Sequence, residues 1–169
     1  LMRSFLHAEG HSDLQMAGSA AEALARLGVD PPDASAPAAD LVIMDVVMPG
    51  IDGLEACRRI IAVERFHDLP IIVVTANDEE ESLRAAFSAG AVDFIAKPVK
   101  AVELGARVRS ALRLKNEMGQ RKERERDLLL LTTRLEAAIR ELTRLTFVDG
   151  LTGITNRRGF DSFIEQEWK

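Results

Sequence analysis

The chain has 169 residues, 47% of them apolar, and a formal net charge of −5 at neutral pH. The length is enough for one domain with an appendage, and the composition excludes a fibrous or disordered protein. The acidic balance argues against nucleic acid as a partner, and the apolar runs are too short to cross a membrane. The single cysteine, Cys57, cannot form an internal disulfide and fits a reducing compartment. We therefore expect a cytoplasmic protein, with Cys57 as a packing residue.

From residue 1 to about 100, short apolar strands alternate with helical segments. The pattern predicts strands at 14–18, 41–45, 70–76 and 92–97, and helices at 20–27, 53–64 and 78–89. Residues 29–40 contain three prolines and predict a surface loop. The alternation indicates an α/β fold with a doubly wound parallel sheet. In such sheets the functional residues gather at the carboxyl ends of the strands.

After Lys100 the composition is that of one long helix, over residues 101–146. Leucines recur every seven residues at 128, 135 and 142, and apolar residues follow three positions later at 131, 138 and 145. This heptad pattern predicts a coiled coil that needs a partner helix. We therefore expect a helical linker at 113–148 and a homodimer through the helix at 128–145.

Asp45 ends one of the most apolar predicted strands, LVIMD. A carboxylate there costs free energy unless its charge is stabilised. It could bind a metal ion, it could act as a covalent nucleophile toward phosphorus with magnesium as counter-charge, or it could cap the following loop. The residue alone leaves these three roles open.

Two further predicted strands end in chemically useful side chains, Thr75 and Lys97. Each is commonplace at a strand end. At one edge of a parallel sheet, however, Asp45, Thr75 and Lys97 would supply a nucleophile, a hydrogen-bond donor and a counter-charge. The combination favours a site that holds a phosphoryl group.

The stretches LVIMDVVMPGIDGLEA, VVTA and AGAVDFIAKPV resemble the receiver domain of two-component response regulators, and the resemblance covers most of residues 1–112. It implies a flavodoxin-like sheet with strand order 2-1-3-4-5. It also implies that a cognate histidine kinase phosphorylates Asp45, that Thr75 is the switch hydroxyl and that Lys97 contacts the phosphate. Phe94 would be the switch aromatic, and Mg²⁺ would bind Asp45 and the backbone carbonyl of Val47.

The resemblance further implies a two-state switch. Phosphorylation would draw Thr75 toward the phosphate and let Phe94 rotate inward, which would remodel the face formed by the fourth helix, the fifth strand and the fifth helix. This receiver face could contribute to the homodimer.

The resemblance has one departure, at the amino terminus. Members of the family begin with an apolar strand that ends in a pair of acids, whereas this sequence opens with LMRSFLHAEGHSD, which resembles the later part of the first helix. We therefore expect an N-terminally incomplete receiver that lacks the first strand and both acids. Its Mg²⁺ site should be weak or absent.

The sequence closes with a second resemblance. DGLTGITNRR resembles the opening signature of GGDEF diguanylate cyclase domains, D-x-L-T-G-L-x-N-R-R, with Ile154 in place of a leucine. Residues 149–169 would then be the truncated start of such a domain, with Asp149, Arg157 and Arg158 in its structural opening turn. The catalytic residues and the GTP contacts would lie downstream, so no residue here is catalytic for cyclisation.

These observations predict a response regulator in which phosphorylation at Asp45 controls dimerisation and a diguanylate cyclase output that makes cyclic di-GMP from GTP. The alternative is a non-enzymatic adaptor, a receiver with a dimerising helix. A DNA-binding regulator has little support, because no helix-turn-helix pattern follows the receiver.

Overall fold

The computed structural model describes residues 2–76, 80–147, 154–157, 159–161 and 164. The strands are β1 (Val42–Asp45), β2 (Ile71–Thr75) and β3 (Asp93–Ala96). The helices are α1 (Met2–Ala8), α2 (Ala20–Arg26), α3 (Gly53–Ile61), α4 (Glu80–Ser88) and α5 (Ala101–Phe147). The chain divides into two compact units, Leu1–Gly119 and Gln120–Lys169.

Within the described residues, the first unit contains a parallel sheet with the order β1-β2-β3. All five residues of the central strand β2 are buried. Its sequence, IIVVT, is the near-continuous apolar run expected of a parallel strand covered on both faces. The prediction of a parallel α/β sheet is confirmed.

The two faces of the sheet carry separate hydrophobic clusters. Val73 of β2 belongs to a cluster with α2, α3 and α4, whereas its neighbour Ile72 belongs to a cluster with α1 and α5. Successive residues of a strand point to opposite faces, which explains the division. Cys57 of α3 is fully buried in the first cluster, and its burial raises the pKa of the thiol to about 12. This agrees with a packing role, since only the thiolate is reactive.

Most predicted elements lie where the sequence placed them, with shifted ends. The helix predicted at 53–64 stops at Ile61 and is followed by a 3-10 turn over Glu64–Phe66. The helix predicted at 78–89 is described from Glu80, and the first predicted residues lie outside the described part of the chain. The long helix predicted at 101–146 is confirmed as α5, which has 47 residues.

The predicted strand at 14–18 is wrong, because these residues form no strand in the structure. A strand needs a neighbour for its backbone N–H and C=O groups. In the order 2-1-3-4-5 the second strand pairs only with the first, and no strand among the described residues lies beside 14–18. Leu14 packs at the edge of the α1 and α5 cluster, whereas Met16 is exposed.

The α5 helix changes character along its length. Leu104, Val108 and Ala111 are buried against the sheet. Farther along, Lys115 donates hydrogen bonds to the carbonyl of Ala39 at 2.9 Å and to the carboxylate of Asp40 at 2.7 Å. From residue 116 to 143 the helix is exposed. Of the helices in the described ranges, none has the length and apolar character needed to cross a bilayer.

Gly53, the first residue of α3, lies against the backbone that carries Asp45. A Cβ atom at position 53 would stand 2.0 Å from the carbonyl oxygen of Asp45. The amide of Gly53 donates to the carbonyl of Val46 at 3.0 Å, and Asp52 caps the helix by accepting from the amide of Glu55 at 2.7 Å. The end of β1 and the start of α3 are therefore in direct contact, and only glycine fits between them.

We predict that Gly53→Ala lowers the free energy of unfolding by about 3 kcal/mol, because the methyl group must displace backbone rather than a flexible side chain. Gly119→Ala is the matched control, since a Cβ at position 119 meets nothing within 4 Å. In a helix interior that change should stabilise by about 0.5–1 kcal/mol. Urea unfolding measures both, and equal effects of the two substitutions would contradict the close contact at Gly53.

Candidate functional site

Asp45 and Lys97 meet at the carboxyl edge of the sheet. Asp45 is the last residue of β1 and Lys97 directly follows β3. The Nζ atom of Lys97 donates to Oδ2 of Asp45 at 2.5 Å. The side chain of Lys97 is 40% exposed and that of Asp45 is 34% exposed. A reagent in solvent can therefore reach the pair, and solvent screens the attraction between the two charges.

Backbone pairing positions both side chains. Asp45 lies opposite Val74 of β2, and the backbone amide of Lys97 donates to the carbonyl of Thr75 at 2.8 Å. This last hydrogen bond continues the ladder one residue past β3. Lys97 is thereby held at the level of Asp45, across the intervening strand.

The second carboxylate oxygen of Asp45 has a local role. Oδ1 accepts a hydrogen bond from the backbone amide of Val47 at 3.1 Å. The loop-capping contact therefore uses Oδ1, whereas the contact with Lys97 uses Oδ2. Val47 itself is 73% exposed.

Thr75 ends the central strand, between the strands that position Asp45 and Lys97. It is 6% exposed, and it is paired in register with Ala96 of β3. Together with Val46, Val47 and Ala76 it lines a cavity of about 390 Å³ between the strand ends and α4. The three predicted residues thus stand at neighbouring strand ends on one edge of the sheet.

Phe94 lies away from this edge, between α4 and α5. Its ring forms an edge-to-face contact with Phe87 of α4, with 6.1 Å between centroids and 84° between planes. The guanidinium carbon of Arg107 in α5 lies 5.5 Å from the centroid of the Phe94 ring. The sequence reasoning missed Phe87 and Arg107, since no local pattern marks a contact between separate elements.

The residues here provide only part of a magnesium site. Among the described residues no group of three or more acidic, histidine or cysteine side chains could hold a metal ion. Mg²⁺ prefers octahedral oxygen coordination, and the donors predicted at this position are one carboxylate and the carbonyl of Val47. Lys97 already pairs with that carboxylate. These two donors do not complete an octahedral site, and the weak or absent Mg²⁺ binding expected from the sequence stays a prediction.

The predicted opening turn of the second unit is described in part. Asn156 donates to the carbonyl of Thr146 at 2.7 Å and accepts from the amide of Gly159 at 3.0 Å. Residues 157 and 159–161 are helical. The guanidinium of Arg157 lies 3.9 Å from the carboxylate of Asp161. Asp149 and Arg158 lie outside the described residues, so their predicted roles remain predictions.

Comparison with known proteins agrees with this fold. Residues 1–109 match the response regulator receiver domain family, so the chain belongs to that family. It is 39% identical over 103 residues to the cyclic di-GMP phosphodiesterase response regulator RpfG of Xanthomonas campestris pv. campestris, a match that covers 61% of this chain and 26% of RpfG. It is 45% identical over 74 residues to the transcriptional regulatory protein AfsQ1 of Streptomyces coelicolor, covering 44% and 32%.

A solved structure supports the same assignment. The receiver domain of sensor histidine kinase PA1611 from Pseudomonas aeruginosa PAO1 is 26% identical, with a TM-score of 0.56, and the match covers 66% of this chain and 84% of that one. That receiver has a magnesium ion coordinated in its active-site cleft. The match spans about a quarter of the length of RpfG and about a third of that of AfsQ1.

Proposed function

We propose that Asp45 is the phosphoacceptor of a two-component response regulator and that a cognate histidine kinase is the donor. The observation that carries this proposal is the contact between Asp45 and Lys97, with Thr75 on the strand between them. Receiver domains are phosphorylated by histidine kinases. The geometry provides a reachable carboxylate with a fixed positive charge beside it.

These side chains carry the chain's own part of the chemistry, and a bound Mg²⁺ would neutralise charge on the phosphoryl oxygens. An oxygen of Asp45 attacks phosphorus, a P–O bond forms, and the bond from phosphorus to the donor nitrogen breaks, with its electron pair leaving on the histidine. Lys97 then pairs with a phosphoryl oxygen instead of the carboxylate, which balances the added charge. The hydroxyl of Thr75 donates to a second phosphoryl oxygen.

We predict that the intact mass rises by one phosphoryl group when the protein is incubated with acetyl phosphate and excess magnesium, and that Asp45→Asn abolishes the increase. Asp52→Asn is the matched control, because it removes a carboxylate from the same loop and keeps an oxygen that can cap α3. Undiminished labelling of Asp45→Asn, or no labelling of the unsubstituted chain, would overturn the assignment.

We infer that the homodimer forms through the exposed part of α5 and that phosphorylation of Asp45 controls it, with the receiver face contributing. Leu128, Leu135 and Leu142 are 62–65% exposed, although they repeat at heptad spacing. A continuous stripe of exposed leucine on a long helix is stabilised when a second helix covers it. A second copy of the chain offers the same stripe, so it is the simplest partner.

The double substitution Leu135→Glu and Leu142→Glu should give a monomer by light scattering, because it places like charges in the proposed interface. Leu129→Glu with Leu130→Glu is the matched control, since these exposed residues lie outside the heptad positions. The control should remain a dimer. A dimer that persists in the first variant would place the interface elsewhere, for instance on the receiver face.

We further propose a diguanylate cyclase output that makes cyclic di-GMP from GTP. The motif DGLTGITNRR, directly after the leucine stripe, supports this proposal. The role of Asn156 as a cap for the helical residues that follow is consistent with a structural opening turn. The receiver itself does not select an output, since RpfG is named a phosphodiesterase regulator and AfsQ1 a transcriptional one.

The encoding DNA downstream of this segment should specify a GGDEF-like motif, and the protein translated from the longer reading frame should convert GTP to cyclic di-GMP. Chromatography of the reaction products measures the conversion. The same protein with the GGDEF motif substituted is the control for contaminating cyclases. A reading frame without that motif would favour the non-enzymatic adaptor.

A further inference from the structure

The position of Phe94 is determined by two helices. It lies on β3, which is an edge strand of the sheet, opposite Val73 of β2. Its half-buried ring contacts Phe87 of α4 on one side and the guanidinium of Arg107 in α5 on the other. The ring is therefore held at the outer edge of the sheet, in the gap between α4 and α5.

Arg107 is itself fixed by two carboxylates. Its Nη1 atom donates to Oδ1 of Asp93 at 2.6 Å, and its Nε and Nη2 atoms donate to Oε1 of Glu103 at 3.2 Å and 3.0 Å. The hydrogen bond to Asp93 is the main cause of a raised Arg107 pKa, so the guanidinium stays charged. Its side chain is 31% exposed, so solvent partly screens these contacts.

Asp93 connects this arginine to the backbone of Phe94. The same Oδ1 atom that accepts from Arg107 also accepts from the amide of Phe94 at 2.8 Å. Arg107 thus contacts the ring of Phe94 directly and its backbone through Asp93. A guanidinium within about 6 Å of a ring centroid attracts the ring through its quadrupole.

We propose that Arg107 is a positioning residue that holds the ring of Phe94 between α4 and α5 in the unphosphorylated chain. The proposal rests on the proposed phosphorylation of Asp45 and on the inward rotation of this ring that the receiver resemblance implies. The ion pairs with Asp93 and Glu103 need not break when the ring leaves. The restraint is therefore limited to the contact between the guanidinium and the ring. The free energy of that single contact is small enough for a reversible switch to overcome.

The test measures the side-chain angle of Phe94 directly. Three-bond NMR couplings from Cγ of Phe94 to its backbone nitrogen and carbonyl carbon report the χ1 populations, and they are measured on the full chain without phosphodonor. Arg107→Gln should raise the population of the inward rotamer relative to the outward one by roughly two- to five-fold, the amount expected from an exposed cation–π contact.

Arg109→Gln is the matched control. Arg109 lies on the same helix and forms an ion pair with Glu9 rather than with the Phe94 ring. This substitution removes one positive charge and one ion pair but should leave the couplings of Phe94 unchanged. A shift as large as that of Arg107→Gln would show a general loosening of α5 and would overturn the proposal.

Arg107→Lys keeps the charge but not the planar group, so its couplings should lie between those of arginine and glutamine. If Arg107→Gln does not fold, Arg107→Lys still tests whether Arg107 positions the ring of Phe94. Couplings equal to those of the unsubstituted chain in whichever Arg107 variants fold would overturn the proposal.

Because no phosphodonor is present, the couplings test the role of Arg107 independently of the phosphorylation of Asp45. Labelling of the same samples with acetyl phosphate tests the proposed phosphorylation separately.

Discussion

The parallel pairing of β2 with both of its neighbours is the constraint on which the rest of the first unit depends. A strand buried on both faces can satisfy its backbone only through its two ladders, and those ladders fix β1 and β3 in register with it. The carboxyl ends of the three strands are therefore level. Residues that are distant in sequence become neighbours, and the 2.5 Å contact between Asp45 and Lys97 joins positions 52 residues apart.

Much of this arrangement could be predicted from local patterns. The apolar runs of LVIMD and IIVVT predict buried strands because burial on both faces demands apolar residues, and the rule for parallel sheets then places Asp45, Thr75 and Lys97 at one edge. The long proline-free stretch after Lys100 predicts α5 for a similar reason, since nothing in it interrupts helical hydrogen bonding. In each case the local signal and the tertiary environment agree.

The remainder depends on tertiary contacts that no local pattern contains. The pattern of residues 14–18 predicts a strand, but strand formation also requires a neighbouring strand, and none lies beside them among the described residues. The position of Arg107 over the ring of Phe94 depends on how α5 packs beside β3. The close approach of Gly53 to the backbone of Asp45 is likewise invisible until α3 is placed against β1.

The sheet is a single layer of backbone between two hydrophobic clusters that have no residue in common. Side chains in contact couple energetically, whereas distant side chains without shared partners contribute nearly additively to stability. Substitutions around α2 and α3 can therefore be accommodated while the packing of α1 is preserved. The two faces are joined at the outer edge of the sheet, where the ring of Phe94 contacts α4 and α5, so a conformational change there reaches both clusters.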